Sequence, residues 1–112
     1  MAVYTTELSG DFLKIAYHID QMIQQQSMSI SVENQYRDSV AGKRIIFTVY
    51  ERYSWTGQNR ASLSVLITET DTGAKIVGVG SGGSSALSFK INTIGEEAFL
   101  DTLRAAAESW QA

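Results

Sequence analysis

The residues best suited to contact a partner lie in one segment that holds two arginines and two aromatic side chains. With the asparagine between them they are Arg52, Tyr53, Trp55, Asn59 and Arg60. Arginine and aromatic side chains stack on bases, sugars and protein surfaces, and Trp, Tyr and Arg are enriched at interface hot spots. The alternative is structural: one side of the segment packs in the core and its arginines pair with Glu51 or Glu69. If the segment binds, the formal net charge of −3 favours a protein partner over nucleic acid.

A second candidate is the glycine- and serine-rich segment that contains Gly80, Ser81, Gly82, Gly83 and Ser84. Together with Gly78 it matches the pattern G-x-G-x-x-G, whose backbone N–H groups hold a pyrophosphate where a strand leads directly into a helix. We interpret the following residues as another strand, so this context disfavours a dinucleotide, and no lysine follows as a P-loop requires. The segment is therefore predicted to be a structural loop or a strand end, or else the mouth of a small-molecule site.

Residues for catalysis or metal binding form no recognisable group in the sequence. His18 is the only histidine, cysteine is absent, and no serine stands in the context of a nucleophile elbow. The carboxylates are scattered, and neighbours such as Glu96 and Glu97 point in different directions around a helix. We therefore expect no enzyme, no cofactor and no metal. An enzyme that uses acids brought together only by folding is a less favoured hypothesis.

The composition is that of an ordinary globular domain. The 112 residues are 44% hydrophobic and 19% charged, which favours a single folded domain over residues 1–112. The first residues lack the basic and apolar segments of a secretory signal, and no apolar run is long enough for a membrane span. We expect a cytoplasmic protein without membrane or nucleic-acid partners.

Two helices must position these segments. Apolar residues at i, i+3 and i+4 spacing predict a helix that opens at Ser9 and ends after Ile23, with the stripe Phe12, Ile15, Ala16, Ile19, Met22 and Ile23. A second helix is predicted from Asn92 to Trp110 on the stripe Phe99, Leu103, Ala106 and Trp110. Thr93 and Glu96 fit a capping box at its start. Trp110 is expected to anchor this helix, or to make a dimer contact if it is partly exposed.

The other elements are predicted to be strands, because they alternate and are rich in β-branched and aromatic residues. Their predicted ranges are Ala2–Leu8, Met28–Tyr36, Arg44–Tyr53, Arg60–Thr70, Lys75–Gly80 and Ala86–Ile91. Turn residues separate them, notably between Asp38 and Gly42. The order predicts an α+β domain in which helices cover one face of a single antiparallel sheet. By analogy it is similar to the helix-grip and TATA-binding-protein-like architecture.

Two patches in the carboxy-terminal two thirds also carry a resemblance. The first comprises Tyr50, Glu51, Arg52, Tyr53, Ser54, Gly57, Asn59 and Arg60. The second comprises Ser81, Gly82, Gly83, Ser84, Phe89, Lys90, Ile91, Asn92, Thr93, Gly95, Glu96, Glu97 and Phe99. They resemble a family of short bacterial proteins known only as a domain of unknown function. The resemblance implies an architecture and assigns no catalytic or ligand residue.

The leading functional hypothesis is a small non-enzymatic binding domain. It would self-associate or bind a protein partner through a sheet edge or through the segment from Tyr50 to Arg60. The alternative is a small-molecule binder with an apolar cavity between the sheet and the carboxy-terminal helix, and with the glycine segment at its mouth.

Overall fold

The fold consists of one five-stranded sheet and two helices. The computed structural model describes residues 2–53, 60–82 and 89–112, and of residues 89–96 only their place in a helix. The elements are β1 (Ala2–Ser9), α1 (Phe12–Gln25), β2 (Ile30–Val40), β3 (Lys43–Tyr53), β4 (Arg60–Glu69), β5 (Gly73–Ser81) and α2 (Phe89–Glu108). The strands lie in the order β1-β5-β4-β3-β2, and all neighbours are antiparallel. The α+β class with one antiparallel sheet is confirmed, and the finer helix-grip likeness stays a prediction.

Alternation along the strands gives the sheet two different faces. On the inner face the strands bury Ile46, Thr48, Tyr50, Ala61, Leu63, Val65, Ile67, Ala74 and Ile76. The helices cover this face with Phe12, Ile15, Ala16, Ile19 and Ile23 of α1 and with Phe99, Leu100, Leu103, Ala106 and Ala107 of α2. We call the other side the open face. Removal of these apolar side chains from water is the main source of stability.

Helix α1 follows its predicted apolar stripe but begins later than predicted. Ser9 is the last residue of β1, and Asp11 is the N-cap, whose carboxylate accepts a hydrogen bond of 3.0 Å from the Lys14 backbone N–H. The capping carboxylate satisfies one of the backbone donors that have no partner within the helix. The prediction that the helix opens at Ser9 is therefore wrong, because the helix begins at Phe12.

Helix α2 begins earlier than predicted. It starts at Phe89, so the strand predicted for Ala86–Ile91 is wrong at Phe89–Ile91, and its first three residues lie outside the described ranges. The capping box at Thr93 and Glu96 is wrong as well, because Thr93 lies inside the helix. A short apolar run fits the two-residue period of a strand as well as the 3.6-residue period of a helix, so the alternation here did not distinguish the two.

The described part of α2 packs closely on β1, β4 and β5. A Cβ placed on Gly78 of β5 would lie only 2.1 Å from Leu103 Cδ2, so the glycine allows the helix to approach the sheet. At the far end Trp110 Nε1 donates to the Ser9 carbonyl oxygen at 2.8 Å, and the indole meets the His18 ring edge-on at 5.4 Å. Trp110 thus anchors the helix, as predicted.

Neither α1 nor the described part of α2 is long and apolar enough to cross a lipid bilayer.

Strand β2 is longer than predicted and extends beyond the helices. It continues past Tyr36 to Val40, and the turn is the pair Ala41 and Gly42, with φ of 53° and 80°. Two positive φ values are typical of the type I′ turn that joins twisted antiparallel strands. A bulge separates Val32 from Asn34, and every residue from Val32 to Val40 is exposed. The β2–β3 hairpin therefore overhangs the edge of the core.

Candidate interaction surface

The base of the predicted binding segment holds an arginine stacked on a tyrosine. Tyr53 and Arg60 are cross-strand partners in β3 and β4, and the Arg60 guanidinium lies 4.6 Å above the Tyr53 ring and donates to its hydroxyl. Arg60 Nη1 also lies 3.3 Å from Glu51 Oε1. These contacts support the structural alternative for Arg60, yet Tyr53 stays 41% exposed on the open face. Trp55 and Asn59 lie outside the described residues.

Arg52 is separated from this pair by the sheet. Its side chain is on the inner face with Tyr50, and its guanidinium lies 4.8 Å from the centre of the buried Phe99 ring. Burial lowers the pKa of the Arg52 guanidinium from its ordinary value. The predicted interaction residues are thus divided between two faces, as the alternation along a strand requires.

The glycine segment is partly strand. Gly80 and Ser81 belong to β5, where Gly80 pairs with Ala2 and Leu63 and Ser81 pairs with Ser62. Gly82 follows directly, and Gly83 and Ser84 lie outside the described residues. Gly78 and Gly80 are ladder positions in an antiparallel sheet, which is the wrong setting for the dinucleotide turn.

The open face carries an apolar row that the sequence analysis did not single out. Tyr36, Phe47, Leu66 and Val77 are in register across four neighbouring strands, and Val49 and Val79 lie in the adjacent row. We call these six residues the open-face patch. Tyr36 is 57% exposed and Phe47 is 39% exposed, and none of the described residues forms an element that covers them. The signal was present in β3, where both alternating sets contain apolar and aromatic residues.

A shallow groove of about 310 Å³ lies at one end of this patch. It is lined by Asn34, Gln35, Tyr36, Phe47 and Val49, next to the bulge of β2. The Tyr36 hydroxyl donates to Asp38 Oδ2 at 2.6 Å, and this bond raises the pKa of Tyr36 and lowers the pKa of Asp38. The groove therefore combines an aromatic wall with amide groups that can donate and accept hydrogen bonds.

Opposite charges lie in pairs beyond both ends of the open-face patch. At one end Lys43 is paired with Asp71, which raises the pKa of the lysine and lowers that of the aspartate. At the other end Arg60 is paired with Glu51. The patch is thus an apolar centre between two charged rims, an arrangement typical of protein interfaces.

The space predicted between the sheet and the carboxy-terminal helix is filled where the structure describes it. Phe99, Leu103 and Ala106 are fully buried there, and Leu103 occupies the position a side chain on Gly78 would need. A cavity of about 220 Å³ lies instead beside α1, against β2, β3 and β4. Its lining residues do not include the glycine segment.

Comparison with known proteins identifies the group to which the chain belongs. The chain belongs to a family of unknown function, DUF6054, whose family model matches residues 1–111. This confirms the expected membership of an uncharacterised family. No curated protein and no solved structure shows a significant match to the chain.

Proposed function

We propose that this member of a family of unknown function is a non-enzymatic domain that self-associates through the open face of its sheet. The observation that carries the proposal is the open-face patch, with Phe47 at its centre still 39% exposed. Contiguous exposed apolar residues with a polar rim mark interaction sites on monomeric proteins. Complete burial of an exposed phenylalanine side chain contributes about 1.5–3 kcal/mol, so covering the 39% of Phe47 that is still exposed contributes roughly 1 kcal/mol per copy and favours association.

The dimensions of the sheet support an interface of useful size. Five strands about 4.8 Å apart, the shortest of which has eight residues, present a face of at least roughly 600 Å² per copy. Two copies would together bury about 1,200 Å², which is the lower end of the range for specific interfaces. Two sheets packed face to face lie about 10 Å apart and interdigitate their side chains.

The charges around the patch favour a second copy of the chain as the occupant. Each end has an ion pair, Lys43 with Asp71 and Arg60 with Glu51, and the Lys43 end also carries the carboxylate of Asp38. A copy related by two-fold symmetry can therefore meet each of these ion pairs with an ion pair of its own. A different protein partner would leave the chain monomeric, which the experiment below detects.

Edge pairing through β2 is the less favoured route to the same function. The strand is long and exposed, but its bulge between Val32 and Asn34 interrupts the row of backbone donors and acceptors that a second strand would need. Natural proteins use such bulges on edge strands to prevent pairing with other chains.

The experiment is sedimentation equilibrium over a wide concentration range with three proteins: wild type, Phe47→Glu and Met28→Glu. Phe47→Glu places a charge at the centre of the open-face patch, whereas Met28 is fully exposed in the turn before β2 and serves as the matched control. We expect the wild type and Met28→Glu to form dimers and Phe47→Glu to remain monomeric. Circular dichroism establishes that each variant is folded. A wild type that is monomeric at all concentrations, or a folded Phe47→Glu dimer, would refute the proposal.

A further inference from the structure

The cavity beside α1 is a cleft with an apolar floor and a polar inner end. It measures about 220 Å³, and its floor consists of Ala16, Ile46, Val65 and Ile67. The exposed side chains of Leu13 and Tyr17 form its outer lip on α1. The overhanging β2 closes the other side with Gln35 and Arg37. A cavity of about 150 Å³ holds benzene, so this cleft has room for a somewhat larger molecule.

Asp20 of α1 lies at the inner end of the cleft and is held by two hydrogen bonds. The Tyr50 hydroxyl donates to Oδ1 at 2.6 Å, and Gln24 Nε2 donates to Oδ2 at 2.9 Å. Burial of Tyr50 and its bond to Asp20 raise the pKa of the phenol far above its ordinary value, so Tyr50 stays a donor at every physiological pH. The carboxylate is therefore fixed in orientation as an acceptor.

No cation of the described residues neutralises this carboxylate. The ion pairs seen between two described residues involve Asp71, Glu69, Glu51 and Asp101 instead. A carboxylate has about four lone-pair sites, and the described residues donate to only two of those on Asp20. A partly buried negative charge with free acceptor sites beside an apolar floor is a site for an organic cation.

The opposite end of the cleft carries a positive charge. Arg37 Nε donates to Gln35 Oε1 at 3.1 Å, and Gln35 Nε2 donates to Thr48 Oγ1 at 3.1 Å, which holds both side chains against β3. Arg37 is the cross-strand partner of Ile46. Ile46 precedes Tyr50 by four residues in β3. At about 3.3 Å per residue, roughly 13 Å of strand separates the row of Arg37 from the row of Tyr50, whose hydroxyl contacts Asp20.

We propose that this cleft binds a small primary amine with an unbranched aliphatic chain. The ammonium group donates to the free acceptor sites of Asp20, and the chain lies over Ile46, Val65 and Ile67 beneath the lip of Tyr17. The amine could be a simple alkylamine or an ω-amino acid whose carboxylate reaches Arg37. Both share the ammonium and the chain. The site is on the inner face of the sheet and is independent of the self-association proposed above.

The experiment is an NMR titration of the wild-type protein with n-hexylamine, ε-aminocaproate and the uncharged n-hexanol. We expect saturable shifts at the methyl groups of Ile46, Val65 and Ile67 with n-hexylamine and none with n-hexanol at the same concentrations. No saturable shift with either amine would overturn the proposal without the need for any variant.

Variants then assign the roles of the two charges. Asp20→Asn keeps the shape and is expected to weaken n-hexylamine binding roughly tenfold or more, because a charge-assisted hydrogen bond is lost. Asp101→Asn, which changes the net charge equally at an exposed site on α2, is expected to leave binding unchanged. Tyr17→Ala, at an exposed lip position, is expected to weaken it less than Asp20→Asn. Equal affinities for wild type and Asp20→Asn would also overturn the proposal.

Arg37→Gln distinguishes between the two kinds of ligand that carry an ammonium group, a simple alkylamine and an ω-amino acid. If only ε-aminocaproate binds this variant more weakly than the wild type, the ligand is an ω-amino acid. If neither probe is affected, the ligand is a simple amine, and the proposed role of Asp20 stands in both cases.

Discussion

Two tyrosine–aspartate hydrogen bonds of the same length, 2.6 Å, occur on the two faces of the sheet. On the inner face Tyr50 donates to Asp20, and Tyr50 is only 1% exposed. On the open face Tyr36 donates to Asp38, and Tyr36 is 57% exposed. Burial is the first cause of the raised pKa of Tyr50, whereas the bond to Asp38 is the first cause for Tyr36. Equal geometry thus has different consequences, because water competes less for the bond of the buried Tyr50 than for that of the exposed Tyr36.

The same contrast applies to the apolar residues. The inner face is closely packed under α2, and there a lost side chain leaves a cavity. The open-face patch keeps its apolar residues partly in water, so in a single copy they contribute little to folding and remain available for association. We therefore expect inner-face substitutions to change the free energy of unfolding and open-face substitutions to change the oligomeric state.

The largest expected effect is that of Leu103→Ala on the inner face. Leu103 is fully buried against β5, and truncation of such a leucine costs about 2–5 kcal/mol of the free energy of unfolding. Leu13→Ala is the matched control, since Leu13 is 49% exposed, and we expect it to cost about 1 kcal/mol or less. Urea denaturation measures both. If both leucine substitutions lowered the free energy of unfolding by similar amounts, Leu103 would not be more closely packed than Leu13.

Gly78→Ala is expected to have a smaller but still large effect. The new methyl group would lie 2.1 Å from Leu103 Cδ2, so α2 or the leucine must move, and overpacking of this kind costs about 1–3 kcal/mol. In the Leu103→Ala background the new methyl group has room, so Gly78→Ala should lower the free energy of unfolding by less than it does in the wild type. A double-mutant cycle by urea denaturation measures this coupling. Additive losses would mean that the contact does not limit the approach of α2.

The two tyrosines test the contrast between the two faces of the sheet. Tyr50→Phe removes a buried donor from Asp20 and should cost about 1 kcal/mol of the free energy of unfolding. Tyr36→Phe removes the equivalent donor from an exposed carboxylate, and we expect no measurable change in stability. If both substitutions destabilise equally in urea denaturation, burial does not separate the two faces as described.

A further small effect concerns acid stability. Arg44 donates to Glu69 from its side chain and its backbone, and these bonds lower the pKa of Glu69 from 4.5 to about 2. Because the folded-state pKa is lowered, this stabilisation is complete above pH 4.5 and is lost as the pH falls toward 2. The difference in stability between wild type and Glu69→Gln should therefore narrow over that interval. Urea denaturation at several pH values measures it, and a difference independent of pH would exclude the assignment.

The sequence predicted those parts of the fold that depend on local periodicity. The stripe of α1 placed that helix within a few residues, because Phe12, Ile15 and Ile19 fit one period only. The start of α2 was predicted wrongly, since Phe89 and Ile91 fit a strand as well as a helix. The length of β2 was underestimated because an exposed strand has no apolar alternation to mark its end.

The candidate sites were harder to predict, since they depend on contacts between distant residues. Asp20 and Tyr50 are thirty positions apart and meet only when α1 lies across β3. The open-face patch requires the register of four strands, although the two apolar sets of β3 already indicated a second apolar side. Arg52 and Tyr53, by contrast, lie on opposite faces for a local reason, because alternation along one strand decides that.

The most direct measurement of the central claim is a methyl NMR dilution series of the wild-type protein. Open-face methyl groups of Val49, Leu66 and Val77 should shift as the protein is diluted, while the buried methyl groups of Val65 and Ile76 should stay unchanged. That result would locate self-association on the open face. Shifts confined to the backbone amides of β2 would mean that the copies pair edge to edge, and the absence of any shift would mean that the open face does not bind a second copy.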